Sequence, residues 1–157
     1  MNRPPLARFL DDSVSRAADG RDGTGAVTAT YEELLSVLAA VVTTRGVESV
    51  ATETGLDREL LAFVVGESGV GTGKSERMRT LETVAAILAT ESRFSASEVR
   101  ARLGDHLIVQ MSRDPIDAES LAVTYGFGDA TELRAKIEGD RPLTLREYAR
   151  LRVALDP

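Results

Sequence analysis

Residues 47–66 read VESVATETGLDRELLAFVVG, a pattern that predicts two short helices joined by a tight turn. Gly55 can adopt the positive φ angle that such a turn requires, and the small side chain of Ala51 lets the two helices approach each other. Asp57 follows the turn as a helix cap, and the apolar residues after it share one helical face. The sequence therefore predicts a helix-turn-helix, with a first helix over about 47–54 and a second that begins after Asp57.

The chain before this segment predicts one long helix preceded by a mobile tail. Apolar residues recur at helical spacing over about 30–44, and Thr30 with Glu33 fits a capping box at the start. The apolar positions of this helix are Leu34, Leu35, Leu38, Val41 and Val42. Residues 13–30 are rich in glycine and carry few apolar anchors, which is typical of a loop or tail. We therefore expect a mobile, disordered N-terminal segment over 1–29.

Two further helices are predicted after the helix-turn-helix. Residues 66–73 form a glycine-rich loop, and residues 80–90 then return to helical spacing. Ser95 and Glu98 form a capping box that opens the next helix, which ends at Arg113 before Asp114-Pro115. Its apolar positions are Val99, Leu103, Leu107, Ile108 and Met111.

The C-terminal part of the chain repeats the pattern of the helix-turn-helix. Two dipeptides recur at one offset: Leu121-Ala122 matches Val50-Ala51, and Gly126-Phe127 matches Gly55-Leu56. Thr144 and Glu147 form another capping box, which opens a last helix. Residues 116–155 therefore predict a second helical module similar to the first.

The predicted fold is all-α, a compact helical bundle with two helix-turn-helix-like modules. No segment alternates apolar and polar residues over a convincing length between turn signals, so strands are not expected. We divide the chain into the mobile segment 1–29, a helical domain with the helix-turn-helix over 30–112, and a second module over 113–157 that packs on the first.

Residues 45–90 resemble the phage-repressor (Cro/CI-like) helix-turn-helix family, and residues 116–155 resemble it more weakly. The positions that carry the resemblance are Ala51, Gly55, Leu56, Leu61 and Val64. In that family the second helix enters the major groove of DNA, where its N-terminal residues contact base edges. The matching positions here are Asp57, Arg58, Glu59, Ala62 and Phe63. The resemblance implies a non-enzymatic, DNA-binding or transcription-associated protein whose partner is double-stranded DNA, with dimerisation placing two such helices on successive half-sites.

The charge of the chain weighs against this interpretation. Nineteen basic residues stand against 25 acidic ones, and the net charge of -6 repels a polyanion at long range. Asp57 and Glu59 would face phosphates, and Arg58 alone could make a bidentate contact with guanine. The cations that could contact phosphates outside the recognition helix are Lys74, Arg77, Arg79, Arg134 and Lys136. The alternative hypothesis is a helical protein-interaction module without DNA binding, whose partner is another protein or a second copy in a homodimer.

A third hypothesis, nucleotide binding, rests on the loop at 66–75, which reads GESGVGTGKS. A P-loop uses backbone amides and a lysine to hold phosphates, and Lys74 with Ser75 ends the loop as that motif requires. The glycine that should stand five positions before Gly73 is replaced by Ser68. Because the register fails and no parallel sheet is expected, a glycine-rich connection between two helices is favoured.

No catalytic residue, metal site or cofactor is predicted. His106 is the sole histidine and the chain has no cysteine, which excludes a Cys/His zinc site and a Cys-His nucleophile pair. The carboxylates stand in capping or surface contexts, without a second group placed for acid–base catalysis. We therefore expect that the protein is not an enzyme. The chain also lacks an apolar stretch long enough to cross a membrane and lacks an N-terminal secretory signal, so we expect a cytoplasmic location.

Short motifs along the whole chain resemble an uncharacterised haloarchaeal protein family. They are Val-Ala-x-x-Thr-Gly at 50–55, Asp-His-Leu at 105–107, and Ile-Glu-Gly at 137–139 followed by Leu-Thr-Leu-Arg-Glu at 143–147. The acidic excess and the presence of only two lysines, Lys74 and Lys136, agree with such an origin. This resemblance implies an origin and a fold, and no activity.

Overall fold

The structure, a computed structural model, describes residues 5–10, 23–64, 80–113 and 117–155. These residues form helices and contain no strand, which confirms the all-α prediction. In chain order the helices are α1 (Pro5–Leu10), α2 (Gly23–Arg45), α3 (Val47–Thr54), α4 (Arg58–Val64), α5 (Leu81–Ala89), α6 (Ala96–Arg113), α7 (Ala118–Thr124), α8 (Ala130–Glu138) and α9 (Leu145–Leu155).

The predicted helix-turn-helix is present as α3 and α4. Gly55 has a φ angle of 76° in the left-handed region, and its backbone N–H donates to the carbonyl of Ala51 at 2.8 Å. The Asp57 side chain accepts from the backbone N–H of Glu59 at 3.0 Å at the start of α4. Local chemistry therefore determines this turn, because glycine takes the left-handed conformation without the steric penalty of a side chain.

The C-terminal part repeats this arrangement as α7 and α8. Gly126 has a φ angle of 77°, close to that of Gly55. Asp129 then caps α8 by accepting from the backbone N–H of Glu132 at 2.8 Å, as Asp57 caps α4. Leu61 of α4 and Leu133 of α8 both follow their caps and are fully buried.

The two long helices, α2 and α6, also correspond to each other. Three buried pairs align at one offset: Leu34 with Val99, Leu38 with Leu103, and Val42 with Leu107. The chain thus contains a first unit, α2 to α5, and a second unit, α6 to α9. Each unit has a long helix, a helix-turn-helix pair and a closing helix.

The long helix of each unit packs most extensively on the closing helix of the other, α2 on α9 and α6 on α5. The residues that precede the closing helices, Thr80 and Thr144, form an isolated antiparallel bridge with each other. The backbone N–H of Leu81 donates to the carbonyl of Leu143 at 2.8 Å beside this bridge. Equivalent residues that pair with each other are expected where two units are related by an approximate two-fold axis.

A buried arginine attaches α1 to this core. Arg152 of α9 is 4% exposed and donates to the carbonyl of Phe9 at 2.8 Å and to the Tyr148 hydroxyl at 3.2 Å. The rings of Phe9 and Tyr148 stack with their centroids 5.6 Å apart. Burial raises the pKa of Tyr148, so its hydroxyl remains neutral and available to accept this hydrogen bond.

Two predictions for the N-terminal part need correction. The expected mobile segment 1–29 contains α1, whose Phe9 is fully buried, and the first residues of α2, whereas residues 11–22 lie outside the described part. The predicted capping box at Thr30 is wrong, because Thr30 is buried in the interior of α2. Packing of Leu6, Phe9 and Ala29 on the core overrides the low helix propensity of the glycine-rich sequence.

The other predicted helices agree with the structure. The capping boxes of α6 and α9 form reciprocally: Ser95 pairs with Glu98, and Thr144 with Glu147. The predicted division between residues 112 and 113 stays a prediction. Among the described residues, no single helix meets the length and hydropathy criteria for crossing a membrane; α2 and α3 pass only as a pair bent by 98°.

Candidate interaction site

The outer face of the first helix-turn-helix is acidic. Glu48, Glu53, Asp57 and Glu59 are exposed on α3, on α4 and at the turn between them. Arg58, the only basic residue within 47–64, lies 2.8 Å from Glu48 in an ion pair in which both side chains are largely exposed. The positions that would contact bases in a phage-repressor protein therefore carry a net negative charge, which repels phosphates.

Of the predicted DNA-contacting cations, the structure describes Arg58, Arg134 and Lys136, which lie in two different units. Arg58 lies in the first unit, whereas Arg134 is exposed on α8 in the second. The ammonium of Lys136 lies 2.6 Å from Glu147, and both side chains are more than four-fifths buried, so this lysine joins α8 to α9. Lys74, Arg77 and Arg79 lie outside the described residues, as do the nucleotide-binding loop predicted at 66–75 and the side chain of Phe63.

The second unit has a groove where α6 extends further beyond the matched buried residues than α2 does. After Val42, α2 continues for less than one turn and ends at Arg45, and Gly46 turns the chain into α3 at 98°. After Leu107, α6 continues for almost two turns to Arg113 before the chain reaches α7. Because α6 extends past the point at which α2 ends, its last turns stand beside α7 and α8.

This groove, called the α6–α8 groove below, has a volume of about 520 Å³. Its lining residues come from three helices and the cap of α7: Ile108, Met111, Ser112, Asp117, Ala118, Arg134, Ile137 and Glu138. Ile108, one of the apolar positions of α6, is 45% exposed. Side chains from the end of α6 therefore form an apolar surface that the fold itself leaves open.

The walls of the groove are held at a fixed distance by contacts behind it. Arg100 of α6 donates to the carbonyls of Lys136 at 2.8 Å and Ile137 at 3.1 Å, and it also donates to Glu82 of α5 at 3.0 Å. Gly104 of α6 faces the same turn of α8, and a Cβ atom there would lie 2.7 Å from the carbonyl oxygen of Ile137. These contacts fix α8 against α6, so the groove is formed in the unbound chain.

Charged side chains surround the apolar part of the groove. Asp117 accepts from the backbone N–H of Ser120 at 2.7 Å, and this hydrogen bond lowers the pKa of its carboxyl group. Glu138 adds a second carboxylate, and Arg134 adds one guanidinium. The rim thus carries more negative than positive charge at neutral pH.

The described residues provide few groups for catalysis. They contain no cluster of three or more His, Asp or Glu side chains placed to hold a metal ion. His106 is half-buried on α6. Among the described residues, the groove offers an apolar surface and charged groups on its rim.

Sequence reasoning found the helix-turn-helix and missed the groove. The sequence does contain a sign of the groove, which is the spacing of apolar residues in α6: Ile108 lies on a different face from Leu103 and Leu107. An apolar residue outside the buried stripe and close to the end of a helix is typical of a surface that contacts something else.

Comparison with known proteins gives one family match. No curated protein and no solved structure matches the chain. The model of a family of unknown function, DUF5791, matches residues 27–156, which includes α2 to α9 and both units. The chain therefore belongs to this family of unknown function, DUF5791.

Proposed function

We propose that this chain is a non-enzymatic helix-turn-helix protein that acts by binding another protein through its second unit. The α6–α8 groove is the observation that carries the proposal. It has the volume of a typical ligand or side-chain binding site and an apolar surface between three helices. A helical groove of this kind accepts an amphipathic segment of a partner.

The exposed apolar side chains favour the second unit, and one of them, Ile108, lines the groove. Among the described residues, the large hydrophobic side chains with high exposure are Ile108 and Val109 on α6 and Val123 on α7. All three belong to the second unit, and the outer face of the first helix-turn-helix carries charged and hydroxyl side chains instead. An exposed apolar surface with a polar rim is typical of a protein-binding site.

Site-directed photo-crosslinking tests this proposal, because the chain has no cysteine of its own. Ser112→Cys places one thiol in the groove, and Ser49→Cys places one on the exposed outer face of α3 as a matched control. Each variant is labelled with a benzophenone maleimide and irradiated in an extract of the cells that encode the chain. We expect a protein adduct from position 112 and none from position 49; the captured protein must then bind the unlabelled chain when both are purified. Absence of an adduct at position 112 would contradict the proposal.

DNA binding is the second candidate function, and the packing of α3 and α4 favours it. Gly55 in the left-handed conformation and the buried Val50 and Leu61 give the pair the packing that the phage-repressor resemblance implies. In this candidate, Arg58 makes the base contact and cations outside α4 contact phosphates. The partner would then be double-stranded DNA, and homodimers would place two copies on successive half-sites.

Fluorescence anisotropy with random duplex DNA at several salt concentrations tests the second candidate. If DNA is bound, affinity falls steeply with salt and Arg58→Ala weakens it by about 1–3 kcal/mol. Arg141→Ala is the matched control, since Arg141 is also exposed and paired, with Glu132, yet lies in the second unit. If the protein-binding function is correct, wild type and both variants show no saturable binding at low salt.

A further inference from the structure

The shape of the α6–α8 groove determines what kind of partner segment fits it. Its walls are the end of α6, the start of α7 and the face of α8 that carries Arg134 and Ile137. Helices pack by placing the side-chain ridges of one into the grooves of another, so an open space between helices accepts a further helix. The apolar side chains of such a helix repeat at positions i, i+3, i+4 and i+7.

The charges around the groove indicate the charge of that helix. Asp117 and Glu138 lie on the rim, and Asp105 is exposed one turn before Ile108 on the same side of α6. Arg134 is the one cation among the described lining residues. A segment with basic residues beside its apolar stripe complements this excess of carboxylates, because complementary potentials favour encounter and disfavour wrong partners.

A second copy of this chain fits the groove less well. The net charge of -6 makes two copies repel each other. The exposed helices of the first unit present Glu48, Glu53 and Glu59, which would meet the carboxylates of the rim. Like charges brought together at an interface cost free energy, which disfavours self-association through this surface.

We propose that the α6–α8 groove binds a cationic amphipathic helix of a protein partner. The apolar stripe of this helix packs on Ile108, Met111 and Ile137, and its basic residues lie near Asp117 and Glu138. An acidic residue of the same helix near Arg134 sets its orientation. This inference rests on the proposed protein-binding function and specifies the partner of the same site.

A pair of neighbouring substitutions in α6 separates binding in the groove from nonspecific attraction to an acidic protein. Ile108 and Val109 are 45% and 46% exposed, yet only Ile108 lines the groove. The probe is a fluorescent, helical Leu/Lys peptide with leucines at i, i+3, i+4 and i+7, compared with a scrambled peptide of equal composition. We expect saturable binding of the helical peptide to the full chain, weakened about tenfold or more by Ile108→Glu and less than about twofold by Val109→Glu.

A second pair of variants tests the charge of the partner. Glu138→Lys reverses a rim charge, and Glu59→Lys makes the same change on the outer face of α4. We expect Glu138→Lys to weaken the peptide several-fold and Glu59→Lys to leave its affinity almost unchanged. Circular dichroism melting curves of all four variants verify that each is folded.

Three outcomes would overturn the inference. They are no saturable binding of the peptide, equal binding of the scrambled peptide, and equal weakening by the two members of either pair. Sedimentation velocity on the same samples adds a fourth, since a wild-type dimer that Ile108→Glu dissociates would make a second copy the occupant. A protein adduct at position 112 together with no peptide binding would overturn the cationic helix and leave the protein-binding function intact.

Discussion

The two units differ at the corner where the long helix meets its helix-turn-helix. In the first unit, Gly46 turns the chain at once, and Arg45 pairs with Glu53 and Glu91 beside the turn. In the second unit, α6 continues past the equivalent point, and the α6–α8 groove opens beside it. Both units keep the same pattern of buried positions in their long helices, and the groove lies where α6 extends beyond the point that corresponds to the end of α2.

The two units also differ in the shape of this corner and in the polarity of their exposed side chains. The first unit has a closed corner and an acidic outer face, whereas the second has an open corner with apolar side chains and a charged rim. If both units had kept the same role, their exposed residues would be expected to match as their buried residues do. The buried positions match, whereas the large exposed apolar side chains among the described residues, Ile108, Val109 and Val123, all lie in the second unit.

The largest expected effect tests whether the long helices are equivalent. Leu38 of α2 and Leu103 of α6 are both almost fully buried at matching positions. Leu38→Ala and Leu103→Ala should each lower the free energy of unfolding by about 2–5 kcal/mol, measured by urea denaturation, because each leaves a cavity in the shared core. Val109→Ala, on the exposed side of α6, is the control and should change it by less than about 0.5 kcal/mol. A small effect at Leu103 beside a large one at Leu38 would show that the two helices do not have the same structural role.

A smaller effect tests whether the two turns are equivalent. Gly55 and Gly126 have φ angles of +76° and +77°, and no atom lies within 4 Å of a Cβ added at either position. Only backbone strain then opposes a side chain, and Gly55→Ala and Gly126→Ala should each cost about 1–2 kcal/mol of unfolding free energy. Asparagine tolerates the left-handed conformation better, so the Asn variants should lose less stability than the Ala variants. Unequal costs at the two glycines would mean that the turns respond to different surroundings.

The smallest effect distinguishes the starts of α3 and α7. Asp117 caps α7 with a carboxylate whose pKa is lowered by the backbone N–H of Ser120, whereas α3 starts at Gly46 without a side-chain cap. A lowered pKa stabilises the folded chain fully above the ordinary carboxyl pKa of about 3.9, and this stabilisation is lost as the pH falls through the lowered value. Helical Cα chemical shifts of α7 should therefore decrease in acid before those of α3. Asn also caps helices and does not titrate, so Asp117→Asn should remove the difference between α7 and α3; a difference that persists would assign it to another group.

The sequence predicts those parts of the fold that depend on neighbouring residues. The turn at Gly55 and the capping boxes at Ser95 and Thr144 need only a few adjacent positions, and all three agree with the structure. The packing of α1 could not be predicted in this way, because Phe9 contacts Tyr148 and Arg152 from the opposite end of the chain. Such contacts leave no local pattern.

The candidate site was predicted less well than the fold. The helix that carries Arg58 was predicted, whereas the pairing of Arg58 with Glu48 depends on how α3 and α4 cross. The predicted role of Lys136 did not anticipate its largely buried ion pair with Glu147 on α9. The groove arises from the relative lengths and packing of three helices, and its residues are far apart in sequence, so no single motif records it.

An amide chemical-shift map of the isotope-labelled chain tests most directly where the binding surface lies. The chain is titrated separately with the helical Leu/Lys peptide and with random duplex DNA at low salt. If the second unit holds the binding site, the peptide shifts amides at the end of α6, in α7 and in α8, and the duplex shifts none in α3 or α4. Saturable shifts at Asp57, Arg58 and Glu59 with the duplex, and none around Ile108 with the peptide, would contradict that conclusion.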